Sequence, residues 1–239
     1  MATALIVGAS SGIGRCLAAQ LSARGYQLGL VARREPLLRE LARELPTRTE
    51  VGVLDVADLG AVSQQLPALI RALGRLDLYI YCAGTGQLNP ELSAEPELGT
   101  VAVNVQGFVN ATVLVAKVFE EQGEGHIVGI SSLAGLRGGP AAPAYGASKA
   151  FMSNYLEALY LRYAKGGKPI AVTDVQPGFV DTAMAKSPVK FWVATPEKAA
   201  RQIIAAIAAK KRRVVVTRRW QLYAWLMSVL PTRVLARLG

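Results

Sequence analysis

Short apolar runs alternate with helically patterned segments along the whole 239-residue chain, and this alternation constrains the fold more than any other feature. Residues 3–7, 27–32, 50–54, 78–83, 126–131, 170–175 and 213–217 read as strands. Residues 13–23, 36–45, 59–73, 98–121, 145–163 and 196–209 read as helices. The strand runs are apolar almost throughout, as parallel strands covered on both faces are. The pattern predicts an α/β fold: one doubly wound parallel sheet of about seven strands with right-handed crossovers. No repeat or low-complexity linker interrupts it, so residues 1–217 are expected to form one domain. Residues 218–239 are read as an apolar, basic, helical tail of the same domain.

Composition removes several alternatives. Hydrophobic residues make up 51% and charged residues 18%, which suits a large core and argues against disorder. The two cysteines, Cys16 and Cys82, exclude a disulfide scaffold, and the single His126 excludes a multi-histidine metal site. No metal is expected, and His126 is read as structural. The N-terminus enters an apolar run with no basic segment before it, so a reducing, cytoplasmic compartment is expected. The uncharged run 98–116 contains Gly99, Asn104, Gln106, Gly107 and Asn110, and therefore reads as a buried helix rather than a membrane span.

The first strand leads into Gly8-Ala9-Ser10-Ser11-Gly12-Ile13-Gly14 and then a helix. Glycines in that position let backbone N–H groups approach a phosphate, with the positive end of the helix behind them. The spacing differs from the common G-x-G-x-x-G loop. It resembles the loop of the short-chain dehydrogenase/reductase family, a Rossmann-like fold. Further motifs carry the resemblance in the same order over about residues 3–217: Asp55 after the third strand, Ala83-Gly84 after the fourth, Asn104, Ser131-Ser132, Tyr145-x-x-x-Lys149, and Pro177-Gly178 with Thr182. Cys82 departs from it, standing where asparagine is usual.

The resemblance implies reversible hydride transfer between a nicotinamide dinucleotide and a carbonyl or alcohol. It assigns catalysis to Asn104, Ser132, Tyr145 and Lys149, with Ser131 the runner-up to Ser132. It places Gly8, Ser10, Ser11, Gly12, Ile13, Gly14, Arg33, Asp55, Val56, Ala83, Gly84, Tyr145, Lys149, Pro177, Gly178, Val180 and Thr182 around the cofactor. The chemistry is consistent with the spacing. Residues four apart share a helix face, and an ammonium beside a phenol favours the phenolate. Asn104 is expected to keep the helix geometry and a water beside Lys149. A catalytically silent dinucleotide-sensing or scaffold protein on the same fold is the second reading, and the complete catalytic set argues against it.

The second strand ends Val31-Ala32-Arg33-Arg34. An acidic residue that would hold a ribose 2′-hydroxyl is missing at Ala32, and Arg33 can pair with a 2′-phosphate. NADP(H) is therefore expected over NAD(H). Phe191 and Trp192, in a short lid expected over 180–195, either favour an apolar or ring-bearing carbonyl substrate or serve as core packing. Phe108, Leu114, Phe151, Leu156 and Tyr160 are candidates for a helix–helix seam, which with the resemblance implies a homodimer or homotetramer.

Charge is unevenly placed. Residues 1–185 hold 15 basic and 16 acidic residues, whereas 186–239 hold 12 basic residues and one acidic residue, Glu197. Such a surface favours anionic partners such as lipid head groups or an acidic carrier protein. No specific nucleic-acid partner is expected. The tail, rich in Trp, Tyr and Leu between arginines, has the composition of a helix at a membrane interface. Two other readings stay open: that it covers the sheet, or that it packs in a subunit seam and closes the substrate pocket.

Overall fold

The computed structural model describes residues 1–184 and 191–234. Seven strands are present: β1 (Thr3–Val7), β2 (Gln27–Ala32), β3 (Thr49–Val53), β4 (Leu78–Tyr81), β5 (Gly125–Ile130), β6 (Ile170–Pro177) and β7 (Arg213–Val216). They form one parallel sheet in the order β3-β2-β1-β4-β5-β6-β7. Side chains alternate across it, as the two-residue period of a strand requires. Leu5, Val7, Tyr79, Tyr81 and Ile127 face one helical layer, made by α3 (Leu59–Leu73), α5 (Phe108–Gln122) and α6 (Pro143–Lys165). Ala4, Ile6, Ile80 and Val128 face the other, made by α1 (Gly12–Ser22), α2 (Glu35–Glu44) and α7 (Pro196–Ala208).

Boundaries differ from expectation where tertiary contacts decide them. The long helix expected over 98–121 begins earlier, as α4 (Ala94–Val101), whose first turn carries Glu95 and Glu97 at the positive end of the helix dipole. It then widens into a π-helical turn at Ala102–Gly107 before continuing as α5. Such a turn re-aims a side chain, here Asn104. The combined rod Ala94–Gln122 is long and apolar enough to cross a membrane. Thr100, Asn104, Phe108, Val115 and Phe119 are nonetheless buried in the protein, as a core helix requires. α6 starts two residues before Tyr145 because Pro143 suits the first helical turn. β6 runs on to Pro177 because β7 pairs with it that far.

The proposed seam needs correction. Phe108 and Leu156 are core residues with 0% and 1% exposure. Phe108 makes edge-to-face contacts with Tyr81 and Tyr155 at 5.2 and 5.6 Å. Aromatic residues at these helix positions are taken up by the sheet itself. Phe151 and Tyr160 remain partly exposed.

His126 pairs with Leu78 at the amino-terminal edge of the sheet. Its Nε2 lies 2.8 Å from Thr173 Oγ1, whose own proton goes to the Lys211 carbonyl at 2.6 Å. The imidazole therefore donates, and it is neutral in the fold. Burial, with Lys210 nearby, pushes its pKa down to about 4. An unfolded histidine takes up its proton near pH 6.5, so the unfolded chain binds more protons between pH 6.5 and 4. Stability is fully present above that window and falls as pH drops through it, by about 3 kcal/mol in total. Denaturant unfolding at pH 7 and pH 4 should show this loss, and His126→Gln should remove most of it.

Candidate active site

The connections of the sheet leave β1 in opposite directions, to β2 on one side and β4 on the other. A crevice opens at the carboxyl ends of the strands where the order reverses. Here it is a cleft of about 800 Å³, lined by segments that follow β1 to β6 and by α8 (Trp220–Val229). Of the residues expected from sequence, all but Gly14 and Asn104 line this one cleft.

Gly14 packs α1 onto the loop: a Cβ there would lie 2.1 Å from the Gly8 carbonyl oxygen. Ser11, the residue before α1, makes no side-chain cap, so the first amides of the helix are left for an anion. The Ser10 and Ser11 hydroxyls instead accept from the Arg34 guanidinium at 2.8 and 2.6 Å. Arg33 is exposed and lies 3.4 Å from Asp55, whose other oxygen accepts from the Ala57 amide at 3.0 Å. Arg15 turns away to Glu40 and Glu44. This cradle of free helix amides, glycines and two arginines fits a dinucleotide phosphate.

Asn104 sits behind the cleft, fully buried. Its amide accepts from Thr85 N at 2.9 Å and donates to Thr85 O at 2.8 Å and Ser148 Oγ at 2.9 Å. It ties the loop after β4 to α6, the helix that carries Tyr145 and Lys149. Lys149 Nζ donates to the Ile130 carbonyl at 2.9 Å and lies 5.9 Å from the centre of the Tyr145 ring. Burial pushes its pKa down to about 8, opposed by Cys82 and Asp174. Tyr145 does not show the lowering expected from Lys149. Burial raises it, and the neighbouring Ser132 hydroxyl opposes that rise. Desolvation outweighs the ammonium because Lys149 is itself desolvated and bonded to a carbonyl.

Ser132 opens the 3-10 turn Leu133–Leu136, with its Oγ accepting from the Ala134 amide at 3.1 Å. Ser131 is buried beneath it, its hydroxyl 2.5 Å from Asp174 Oδ1 and 3.0 Å from the Val175 carbonyl. Cys82 is half-buried, and burial raises its thiol to about 12, so it stays protonated.

After β6, Val180 bridges back to Ala194. Residues 185–190 of the expected lid lie outside the described residues. Lining residues missed from sequence include Arg34, Phe179, Trp220 and Tyr223. Arg34 had a signal in the paired arginines. Trp220 had none, because it reaches the cleft from the far end of the chain. Its indole covers Gly178 so closely that a Cβ there would lie 2.3–2.4 Å from the ring. It also meets Phe179, Phe191 and Tyr223 at 4.8–5.6 Å, forming an aromatic wall. Part of the tail thus closes the pocket, which is one half of the second packing reading.

Residues 2–191 match the family of short chain dehydrogenases, and the chain belongs to it. It is 38% identical over 185 residues to sulfoacetaldehyde reductase 2 of Chromohalobacter salexigens, covering 74% of this chain and 72% of that one. It is 31% identical over 179 residues to an NADP-dependent 3-hydroxy acid dehydrogenase of Shigella flexneri, with coverage of 74% and 71%. Among solved structures, it resembles an actinorhodin polyketide ketoreductase with NADPH (TM-score 0.80, 27% identity, 90% and 95% coverage). It also resembles a short chain dehydrogenase of Mycobacterium paratuberculosis bound to NAD (TM-score 0.79, 25% identity, 90% and 96% coverage). The chain is an oxidoreductase of the alcohol–carbonyl couple that uses a nicotinamide dinucleotide.

Replacing Asn104 by Ala leaves the Thr85 amide and carbonyl without their partner. A stability loss of about 2–4 kcal/mol is expected in denaturant unfolding. A loss below 0.5 kcal/mol would show that water takes over both bonds.

Proposed function

We propose that this protein is an NADPH-dependent carbonyl reductase for apolar, lipid-like substrates, with Tyr145 as general acid. Convergence carries the reading: Ser132, Tyr145 and Lys149 meet in one cleft with the glycine loop and an aromatic wall. Residues 1–217 bind the dinucleotide and perform the chemistry, and α8 closes the substrate end.

When bound, the nicotinamide supplies a hydride to the carbonyl carbon. The chain's own residues handle the oxygen. The Ser132 hydroxyl donates a hydrogen bond to it, and Tyr145 gives it a proton as negative charge grows. A phenol raised by burial is protonated at neutral pH, which supports the reducing direction. Lys149 holds the cofactor's ribose and favours the phenolate left after proton transfer. Asn104 positions both groups through Thr85 and Ser148. The completeness of this set opposes a silent scaffold.

Arg33 and Arg34 flank the glycine loop, and no acid stands at Ala32, which supports a 2′-phosphate on the adenosine ribose. A charge-assisted bond contributes about 1.5–3 kcal/mol, or about 10- to 150-fold in affinity. The variant Ala32→Asp with Arg33→Ser should weaken NADPH by at least that factor and improve NADH. Wild-type kinetics that favour NADH would refute the preference.

Tyr145→Phe tests the chemistry. Turnover of a ketone panel, followed by NADPH absorbance, should fall about 10²–10⁴-fold while NADPH affinity stays within threefold. Turnover within threefold of wild type would remove Tyr145 as the acid.

A further inference from the structure

α8 is apolar on two faces. Trp220, Tyr223, Met227 and Leu230 form a stripe at helical spacing, and its first two members line the cleft. Leu222, Trp225, Leu226 and Val229 form a second stripe on the opposite side, with the i, i+3, i+4, i+7 spacing of a buried face. It is not buried: these residues are 68%, 62%, 41% and 57% exposed. Exposed apolar side chains also stand at the mouth of the cleft. Leu88, Met184 and Phe191 line the cleft and are each partly exposed, and Trp192 packs edge-on against Phe191 at 5.5 Å. An exposed apolar helix face of this kind marks a contact site.

Charge at this surface selects the partner. β7 is parallel to its neighbours, so Lys210, Lys211, Arg212 and Arg213 lie at the edge of the sheet away from the cleft. There Arg212 and Arg213 pair with Glu157 and Asp174. The cations of the basic quarter that flank α8 are Arg218 and Arg219 before it and Arg233 after it. All three are exposed and form no ion pair among the described residues. Between them α8 carries no charge. The acids at the cleft are Asp55, which lines it and faces Arg33, and Asp181, between the lining residues Val180 and Thr182.

We propose that the outer face of α8 and the rim of the cleft dock on an anionic membrane surface, with α8 lying in the plane of the interface. Ten residues make a helix about 15 Å long, half the thickness of the hydrocarbon core, so α8 cannot span it. Tryptophan and leucine enter the boundary region while the arginines meet lipid phosphates. A second copy of this chain fits less well. A two-fold contact sets the same patch against itself, and α8 has no acid to balance the arginines brought together. The docked arrangement turns the cleft mouth toward the lipid phase, so the carbonyl substrate is drawn from the bilayer. This last step rests on the reductase reading; docking itself does not.

The experiment is co-sedimentation of the full chain with phosphatidylcholine vesicles, with and without 30% phosphatidylserine, at low and high salt. Binding is expected on the anionic vesicles only, and added salt should weaken it. Arg218→Gln and Arg219→Gln should each lower partitioning about fivefold. Trp225→Gln with Leu226→Gln should lower it at least tenfold. None of these residues lines the cleft, so turnover of a water-soluble ketone serves as the control for folding. No binding of wild type to anionic vesicles at low salt overturns the proposal. So does light scattering that finds a dimer which the Trp225/Leu226 variant dissociates, since a second copy then covers the face. Equal binding to neutral vesicles overturns the role of the arginines. If vesicles bind but no ketone oxidises NADPH, the reductase reading fails and docking stands.

Discussion

All seven strands point the same way, and the site depends on that constraint. A parallel sheet covered on both faces by helices leaves its interior to apolar side chains. Polar chemistry is then confined to the edge where strands end and loops begin. Because the order reverses beside β1, the loops after β1 and β4 part and leave room between them. The phosphate cradle and the Tyr145–Lys149 pair come from segments far apart in sequence, yet both must open onto that crevice. His126, at the opposite edge, shows the converse. It is the chain's one imidazole, and its position restricts it to holding Thr173.

Polar groups at this edge are buried, which sets their electrostatics. Lys149 keeps a single carbonyl partner, Ile130, and its ammonium is destabilised. Tyr145 is shifted the other way by the same loss of water. Both shifts favour neutral forms: the phenol is held protonated, and the lysine is pushed down to about 8. The favourable pairing of ammonium and phenolate is too weak at this separation to reverse desolvation. A negative charge near Lys149 opposes that shift, as Asp174 does in part.

Much of this was legible in the sequence because it is written locally. The strands are apolar runs, the glycine loop has its helix directly behind it, and Tyr145 and Lys149 are one helical turn apart. What escaped was non-local. Phe108 and Leu156 look like spare apolar residues on their helices, but the sheet takes both into its core. The π-helical turn at Ala102–Gly107 has no local signature. It is drawn by the bonds of Asn104 to Thr85 and Ser148, 19 and 44 residues away. Trp220 reaches Gly178 from beyond the last strand. Charge counting located the basic quarter, but the direction of β7 divides those cations between two edges of the sheet.

The placement of α8 follows from the same non-local logic. Helix carbonyls at a C-terminus need partners, and a cation there is favoured by the helix dipole. Arg137 meets both needs: its guanidinium donates to the carbonyls of Met227, Ser228 and Leu230 at 2.5–3.1 Å. Arg137 directly follows the 3-10 turn that Ser132 opens. At its other end, α8 is held by Trp220 against Gly178, next to the Pro177 that ends β6. The helix is therefore pinned at one end to the loop bearing Ser132 and at the other to the loop after β6. Its inner face cannot shift without moving one of them. Among the described residues the outer face has no such attachments, and its apolar stripe stays exposed. Four exposed apolar residues in two turns of a helix that lines the cleft with its other face are best explained by what lies outside.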